Sequence, residues 1–336
     1  TGVGRSDQTN LPSQDVRCSR REFLWRVGSA GTAAAVAGGL GYTLHNRPTT
    51  ADQVPVRLPD FRVEPAAGRP QIVASQGGSP LQMLQRCLEE LGGLGHFIKP
   101  GDKVILKPNV GFASPPEFGA TTNPEVVGAM ARLCLAEGAT EVWVLDNPIH
   151  DPVRCMTVSG VAAAAEANGA RVAYPRSGAF REVEEPENTV LKRWSFFYEP
   201  FEGAAKVIGI PVAKHHSAAG VTLGMKNWYG LLGGRRNRLH QDIHTSVADL
   251  GTLVRPTLII LDATRVLFRN GPTGGSPSDV RHDGIIAAAT DPVALDTYGA
   301  GLVGADTSTL GFLIEAERRG LGTGNLMDAG FRMIRL

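Results

Sequence analysis

Short apolar runs that alternate with capped helical segments constrain this chain more than any other feature. Lys103-Val-Ile-Leu-Lys107 follows the turn Pro100-Gly101-Asp102 and reads as a buried strand. Thr121-Thr122-Asn123-Pro124-Glu125 then opens a helix, because Asn123 or Thr122 offers a capping oxygen and Pro124 suits the first turn. That helix is expected to run to about Glu137, with Gly138 as its stop, and Glu141-Val-Trp-Val-Leu-Asp146 is the next strand. Two strands joined by a helix form a parallel pair. The pattern predicts a helix over 157–168, a strand over 171–174, a strand over 206–212, a helix over 239–254 and a strand over 257–262. A strand over 284–289 and a helix from Asp291-Pro292 follow. The expected fold is α/β, with a mainly parallel sheet or sheets flanked by helices in an open layered architecture. The α/β part is expected to span 71–336, as one body or as two lobes of about 71–200 and 201–336.

In such sheets ligands collect beyond the carboxyl ends of the strands. That rule singles out Lys107-Pro108-Asn109, Asp146-Asn147, Lys214-His215-His216, Asp262 and Thr290-Asp291-Pro292. Each strand-end Asp also suits a helix cap or a turn, but five polar strand ends together point to a cleft holding both cations and carboxylates. Asn270-Gly-Pro-Thr-Gly-Gly-Ser-Pro277 is a glycine-rich loop of the kind that turns successive N–H groups toward an anion, with Gly274 and Gly275 at its centre. It matches neither the P-loop nor the dinucleotide-binding fingerprint. Met225-Lys226-Asn227-Trp228, followed by Gly233-Gly234-Arg235-Arg236, adds a second cationic stretch. His240 and His244 stand four apart, which on a helix places both imidazoles on one face, near enough to share a metal or an anion. The pair lacks the intervening Glu of a zinc-protease helix. Two histidines at the border of an apolar stripe remain the plain alternative.

Charge is unevenly spread. The first 47 residues carry six arginines against three carboxylates, a local +3 within a chain whose formal net charge is +1, so the remainder stands at −2. A mildly acidic body argues against a nucleic-acid binder. The leader reads Ser19-Arg20-Arg21-Glu22-Phe23-Leu24, then a weakly apolar stretch rich in Ala and Gly. This resembles a twin-arginine export signal over residues 1–45, and implies the export machinery as a partner and a periplasmic or other extracytoplasmic location. Five glycines between 28 and 41 count against a stable spanning helix there. Residues 46–70, with five prolines, read as an extended linker. The chain has four cysteines, Cys18, Cys87, Cys134 and Cys155, without Cys-x-x-Cys spacing, so no iron–sulfur cluster is expected.

Lys107-Pro108-Asn109, Thr121-Thr122-Asn123-Pro124-Glu125-Val126-Val127, Gly224-Met225-Lys226-Asn227, Asn270-Gly-Pro-Thr-Gly-Gly and Thr290-Asp291-Pro292-Val293-Ala294-Leu295-Asp296 occur in this order over about residues 72–304. Together they resemble the successive motifs of domain-of-unknown-function family 362. The resemblance implies an association with redox proteins, since some members carry a twin-arginine leader and others a fused ferredoxin-type cluster. This chain lacks the cluster cysteines, so that role is not carried over. The family name supplies a domain and no reaction.

Two ligand-binding functions are therefore expected to compete, with a structural or interaction module without a bound small molecule as the third reading. One is an exported protein that binds a small anionic ligand or cofactor and carries out a redox-associated reaction. Lys107, Asn109, Lys226, Asn227, Gly274 and Gly275 would hold the ligand, and Asp146, Asp262 and Asp291 would move protons or ligate a metal. The other is a non-catalytic periplasmic binding or cofactor-maturation protein using the same cleft. A metal ion held by His240 and His244 is a further expectation.

Overall fold

A computed structural model describes Arg21 and residues 54–336, the latter within one compact unit, Gln53–Leu336. Apart from Arg21, the twin-arginine segment expected at 1–45 lies outside the described residues, as do 46–53 of the expected linker. Residues 54–70 hold neither helix nor regular strand. They are nonetheless packed: Phe61 is buried, its N–H donates to the Arg255 carbonyl, and its carbonyl accepts from Thr257 Oγ1 at 2.7 Å.

The strands are β1 (Ile72–Gln76), β2 (Lys103–Pro108), β3 (Glu141–Leu145), β4 (Arg171–Ala173), β5 (Phe180–Glu184), β6 (Arg193–Phe197) and β7 (Lys206–Ile210). They continue with β8 (Val212–His216), β9 (Gly220–Thr222), β10 (Leu258–Leu267), β11 (Val280–Arg281), β12 (Ile285–Ala289) and β13 (Arg332–Arg335). The helices are α1 (Pro80–Glu90), α2 (Leu94–Phe97), α3 (Pro124–Ala136), α4 (Pro152–Val158) and α5 (Val161–Ala167). After them come α6 (Gly224–Asn227), α7 (Ile243–Leu253), α8 (Pro292–Val303) and α9 (Gly311–Arg318).

The main sheet runs β13-β1-β12-β10-β7-β2-β3-β4, with β8 and β11 paired to β10 and β9 to β8. Strands β10, β7, β2, β3 and β4 are parallel to their neighbours in that row, whereas β12 is antiparallel to both β1 and β10. Strands from 71–200 and from 201–336 therefore interleave in one sheet. A separate antiparallel hairpin, β5–β6, lies outside it.

Residues of one strand alternate between two apolar layers. Val104 and Leu106 of β2 and Leu258 and Ile260 of β10 face the layer formed with α1 and α3. Ile105 of β2, and Ile259 and Leu261 of β10, face the opposite side, where α7, α8 and α9 pack. Burial on both faces explains why these strands read as unbroken apolar runs. Helix α3 starts as its sequence dictates, with Asn123 accepting from the Glu125 N–H and Pro124 in the first turn. The helix expected over 157–168 is instead two, α4 and α5, because Gly160 takes a left-handed φ of 73° between them. The strand expected to end at Asp262 continues to Leu267. The segment 206–212 breaks at Pro211 into β7 and β8. The helix expected from 239 begins at Ile243, after a 3-10 stretch over Arg236–Asp242.

Candidate functional site

Beyond the carboxyl ends of β2, β3 and β8 lies a cavity of about 70 Å³ whose walls include Lys107, Asn109, Asp146, Lys214, Lys226 and Arg236. Four cations thus face a single carboxylate. The three lysines are almost wholly removed from solvent, at 0%, 1% and 7% exposure for Lys107, Lys214 and Lys226. Buried charges of one sign repel and lose hydration, so a cavity of this kind favours an anion.

The lysines differ in what they touch. Lys107 Nζ pairs with Asp146 Oδ1 at 2.8 Å and donates to the Pro108 carbonyl at 2.6 Å and Asn227 Oδ1 at 3.0 Å. Lys214 Nζ donates to Asn109 Oδ1 at 2.9 Å and to the Ala120 carbonyl at 2.6 Å. Among the described residues Lys226 Nζ has neither an ion-pair nor a hydrogen-bond partner, and it lies 5.1 Å from the Tyr229 ring centre. Burial pulls Lys226 down to about 8, with the nearby Arg236 adding to the effect. Burial, then the charge of Lys226, pulls Lys214 down to about 7. Lys107 is also lowered by burial, against the upward pull of Asp146.

The rest of the wall mixes polar side chains with Phe112, Ile149 and Pro272. His216 Nδ1 accepts from the Ala218 and Ala219 N–H groups, which puts the proton of the neutral ring on Nε2. Burial first, and the Lys226 charge second, lower its pKa to about 3, so it stays neutral. His240 stacks on His216 with ring centres 5.8 Å apart. Thr222, also in the wall, has a buried hydroxyl without a partner. Arg236 is held by the carbonyls of Asn147 and Pro148 at 2.6 and 2.7 Å.

Several quoted motifs meet here. Thr122 Oγ1 accepts from the Asn109 N–H and donates to the Ile210 carbonyl, tying β2 to β7. Asn227 returns an N–H to the Lys107 carbonyl at 2.8 Å. Asp296, from the segment that begins at Thr290, accepts from the Gly224 and Met225 N–H groups at 2.6 and 3.0 Å. It thereby holds the start of α6, which carries Lys226 and Asn227. Desolvation raises the Asp296 carboxyl to about 7. At Gly230 a Cβ would stand 2.0 Å from Asp146 Oδ1, so only glycine lets the backbone pass this close to the ion pair.

Lys107, Asn109, Asp146, Lys226 and Asn227 of the expected site are thus brought together, and His240 joins them. The others lie elsewhere. Asp262 sits within β10, its carboxylate taken up by the Asn123 N–H and by Thr264. Asp291 caps α8 through Val293 and Ala294. Because β12 is antiparallel, its carboxyl end lies beside the start of β10, with Ala289 opposite Ile259. Asp291 therefore borders a separate hollow with Arg62 and Arg255. In the glycine-rich loop it is Pro272 that reaches the cavity wall. Gly274 packs toward the Phe118 carbonyl, and Gly275 has open space where a Cβ would stand.

His244 does not share a site with His240. Its ring lies against Gly311 and stacks on Phe312 at 6.1 Å, because the 3-10 geometry before Ile243 breaks the i, i+4 relation. Among the described residues no group of three or more His, Cys, Asp or Glu side chains is arranged to hold a metal ion. Cys87, Cys134 and Cys155 are buried free thiols, with burial raising Cys87 to about 12 and Cys155 to about 11. Lys214 and His216 stand at a strand end that the sequence marks without a role, and Tyr229 and Gly230 carry no local signal; Asp296 closes the same short motif that Asp291 opens.

The family model "Domain of unknown function (DUF362)" matches residues 104–301, a stretch that contains every residue of the cavity wall named above. The chain is also 31% identical over 255 residues to the thylakoid-associated protein sll1697 of Synechocystis sp., covering 73% of this chain and 77% of the relative. With a match over more than half its length and a relative aligned over most of its own, the chain belongs to the DUF362 family.

Proposed function

We propose that this protein binds a small anionic ligand, or the anionic part of a cofactor, in the cavity at the ends of β2, β3 and β8. The observation that carries the reading is Lys226: among the described residues its ammonium has no hydrogen-bond or ion-pair partner, in a cavity lined by three other basic side chains and one carboxylate. A counter-ion bound beside it would offset the loss of hydration and the repulsion of its cationic neighbours. The carboxylates expected to move protons are already engaged. Asp146 accepts from Lys107, from the Val110 N–H and from the Asn147 N–H, and Asp262 and Asp291 are spent on backbone N–H groups. This favours a binding or cofactor-maturation role over carboxylate-driven catalysis, and any redox-associated reaction would draw its chemistry from the ligand.

The protein works outside the cytoplasm in this reading, delivered by the Arg20-Arg21 signal. A relative described as thylakoid-associated is compatible with that location. Among the described residues no helix is long and apolar enough to cross a membrane.

Calorimetric titration of the full chain with sulfate or phosphate near pH 6.5 tests the binding claim. Binding is expected, and Lys226→Met should weaken it by about 10- to 150-fold, the equivalent of roughly 1.5–3 kcal/mol for a hydrogen bond to a charged group. Failure of sulfate, phosphate and acetate all to bind at millimolar concentration would overturn the reading.

A further inference from the structure

We propose that Lys214 is a nucleophile that forms a reversible imine with the carbonyl carbon of a small 2-oxo acid bound in this cavity. The proposal rests on the anion site described above and adds a substrate class and a reactive atom to it.

The three buried lysines have unequal numbers of acceptors, and this decides what each can do. An ammonium has three N–H bonds. Lys107 has an acceptor for all three, one of them a carboxylate, so it is locked as a cation and has no free electron pair. Lys226 has no acceptor and serves as the unspent charge for a ligand carboxylate. Lys214 has two, both neutral, in Asn109 Oδ1 and the Ala120 carbonyl. An uncharged amine satisfies both with its two N–H bonds, leaving its lone pair for the cavity, whose wall includes this residue.

The surroundings oppose a charge on Lys214. Among the described residues no carboxylate lies within ion-pair distance of it; burial and the charges of Lys226 and Lys107 oppose its protonation and outweigh the more distant Asp146 and the Phe112 ring 5.2 Å away, which favour it. The other ionisable groups facing the cavity are Asp146, committed to Lys107, together with Tyr229, His216 and His240. Desolvation beside other cations is a general way to make a lysine amine nucleophilic at neutral pH, and it agrees with the downward displacement of Lys214 to about 7. Size agrees as well. A cavity of about 70 Å³ has room for roughly two waters at ~30 Å³ each, which limits the ligand to a compact acid of a few non-hydrogen atoms such as pyruvate.

In the step, the amine nitrogen bonds to the carbonyl carbon and the C–O bond breaks. The oxygen leaves as water with the two amine hydrogens, and nothing is oxidised or reduced. Lys226 faces the ligand carboxylate throughout.

The test is reductive trapping on the full chain with pyruvate and sodium borohydride, read by peptide mass spectrometry. A reduced pyruvyl adduct is expected on Lys214, suppressed by excess sulfate and absent in Lys214→Arg. Its rate of formation should rise as pH is raised through about 7. In case Lys214→Arg does not fold, the position of the adduct in the unaltered protein decides alone. An adduct confined to other lysines, or none, overturns the imine. If sulfate still binds by calorimetry, the anion site survives that failure; if sulfate does not bind either, both readings fall.

Discussion

Replacing Gly230 with alanine should unseat the charged floor of the cavity. Gly230 lies in a 3-10 turn, Trp228–Leu231, and has no positive φ. The backbone itself therefore accepts alanine, and at such positions Gly→Ala is ordinarily neutral or stabilising by about 0.4–1 kcal/mol. Here the added Cβ would fall 2.0 Å from Asp146 Oδ1 and 2.7 Å from Lys107 Nζ. Neither partner can move away without giving up hydrogen bonds; Lys107 makes them to the Pro108 carbonyl and Asn227 Oδ1. The Asp146 carboxylate is also fixed by the Val110 N–H at 2.6 Å and the Asn147 N–H at 2.9 Å, and both side chains are buried. Relief comes only by separating the pair or moving the turn. Separating a buried ion pair costs about 3–5 kcal/mol, against the small entropic gain. Gly301→Ala, in α8 with nothing within 4 Å of its Cβ, is the control and should gain up to about 1 kcal/mol. Urea unfolding of the three proteins side by side measures both. A loss below about 1 kcal/mol for Gly230→Ala, within the range of ordinary substitutions, would refute the reasoning.

Sulfate keeps its charge across neutral pH, so its binding reports on the lysines. Affinity should be full at pH 6 and fall as pH rises through about 7 and about 8, where Lys214 and Lys226 lose their protons. Without an anion the sign is opposite for stability. The unfolded chain, with lysines at their usual 10.5, holds more protons than the folded one above about 7, so unfolding free energy should rise with pH across that window and fall as pH drops through it. A flat sulfate affinity from pH 6 to 9 would contradict both. Asp296→Asn leaves one of two buried N–H groups of α6 without an acceptor and should cost about 1–3 kcal/mol, with weaker sulfate binding because Lys226 sits on that helix. Replacing Arg20 and Arg21 together with lysine should hold the precursor in the cytoplasm, and unchanged export by cell fractionation would count against the signal.

Local chemistry made part of this molecule legible from sequence. The run 103–107, the Asn123-Pro124 cap and the strand 141–146 each carry their own signal, and the structure places β2, α3 and β3 within a residue or two of it. Strand direction carries no such local mark. The rule that ligands gather at carboxyl ends was applied to Asp291 as to Lys107, but β12 runs the other way, a fact fixed only by its pairing with β1 and β10. Asp262 looked terminal because the apolar run 257–261 stops there, yet pairing with β8 and β11 carries β10 on to Leu267. His240 and His244 keep helical spacing in sequence, while the 3-10 stretch over Arg236–Asp242 that parts them opens at Arg236, which the Asn147 and Pro148 carbonyls hold. Lys214 is marked in the sequence only as part of a polar strand end; that its ammonium is buried follows only once the sheet closes over it.

The central claim is that the cavity beside Lys226 is an anion site, and locating an anion there tests it most directly. Crystals of the full chain soaked in tungstate would show the metal by anomalous scattering. The account predicts one strong peak within hydrogen-bonding reach of Lys226 Nζ, lost in Lys226→Met. An empty cavity, with tungstate bound only at surface arginines, would contradict it.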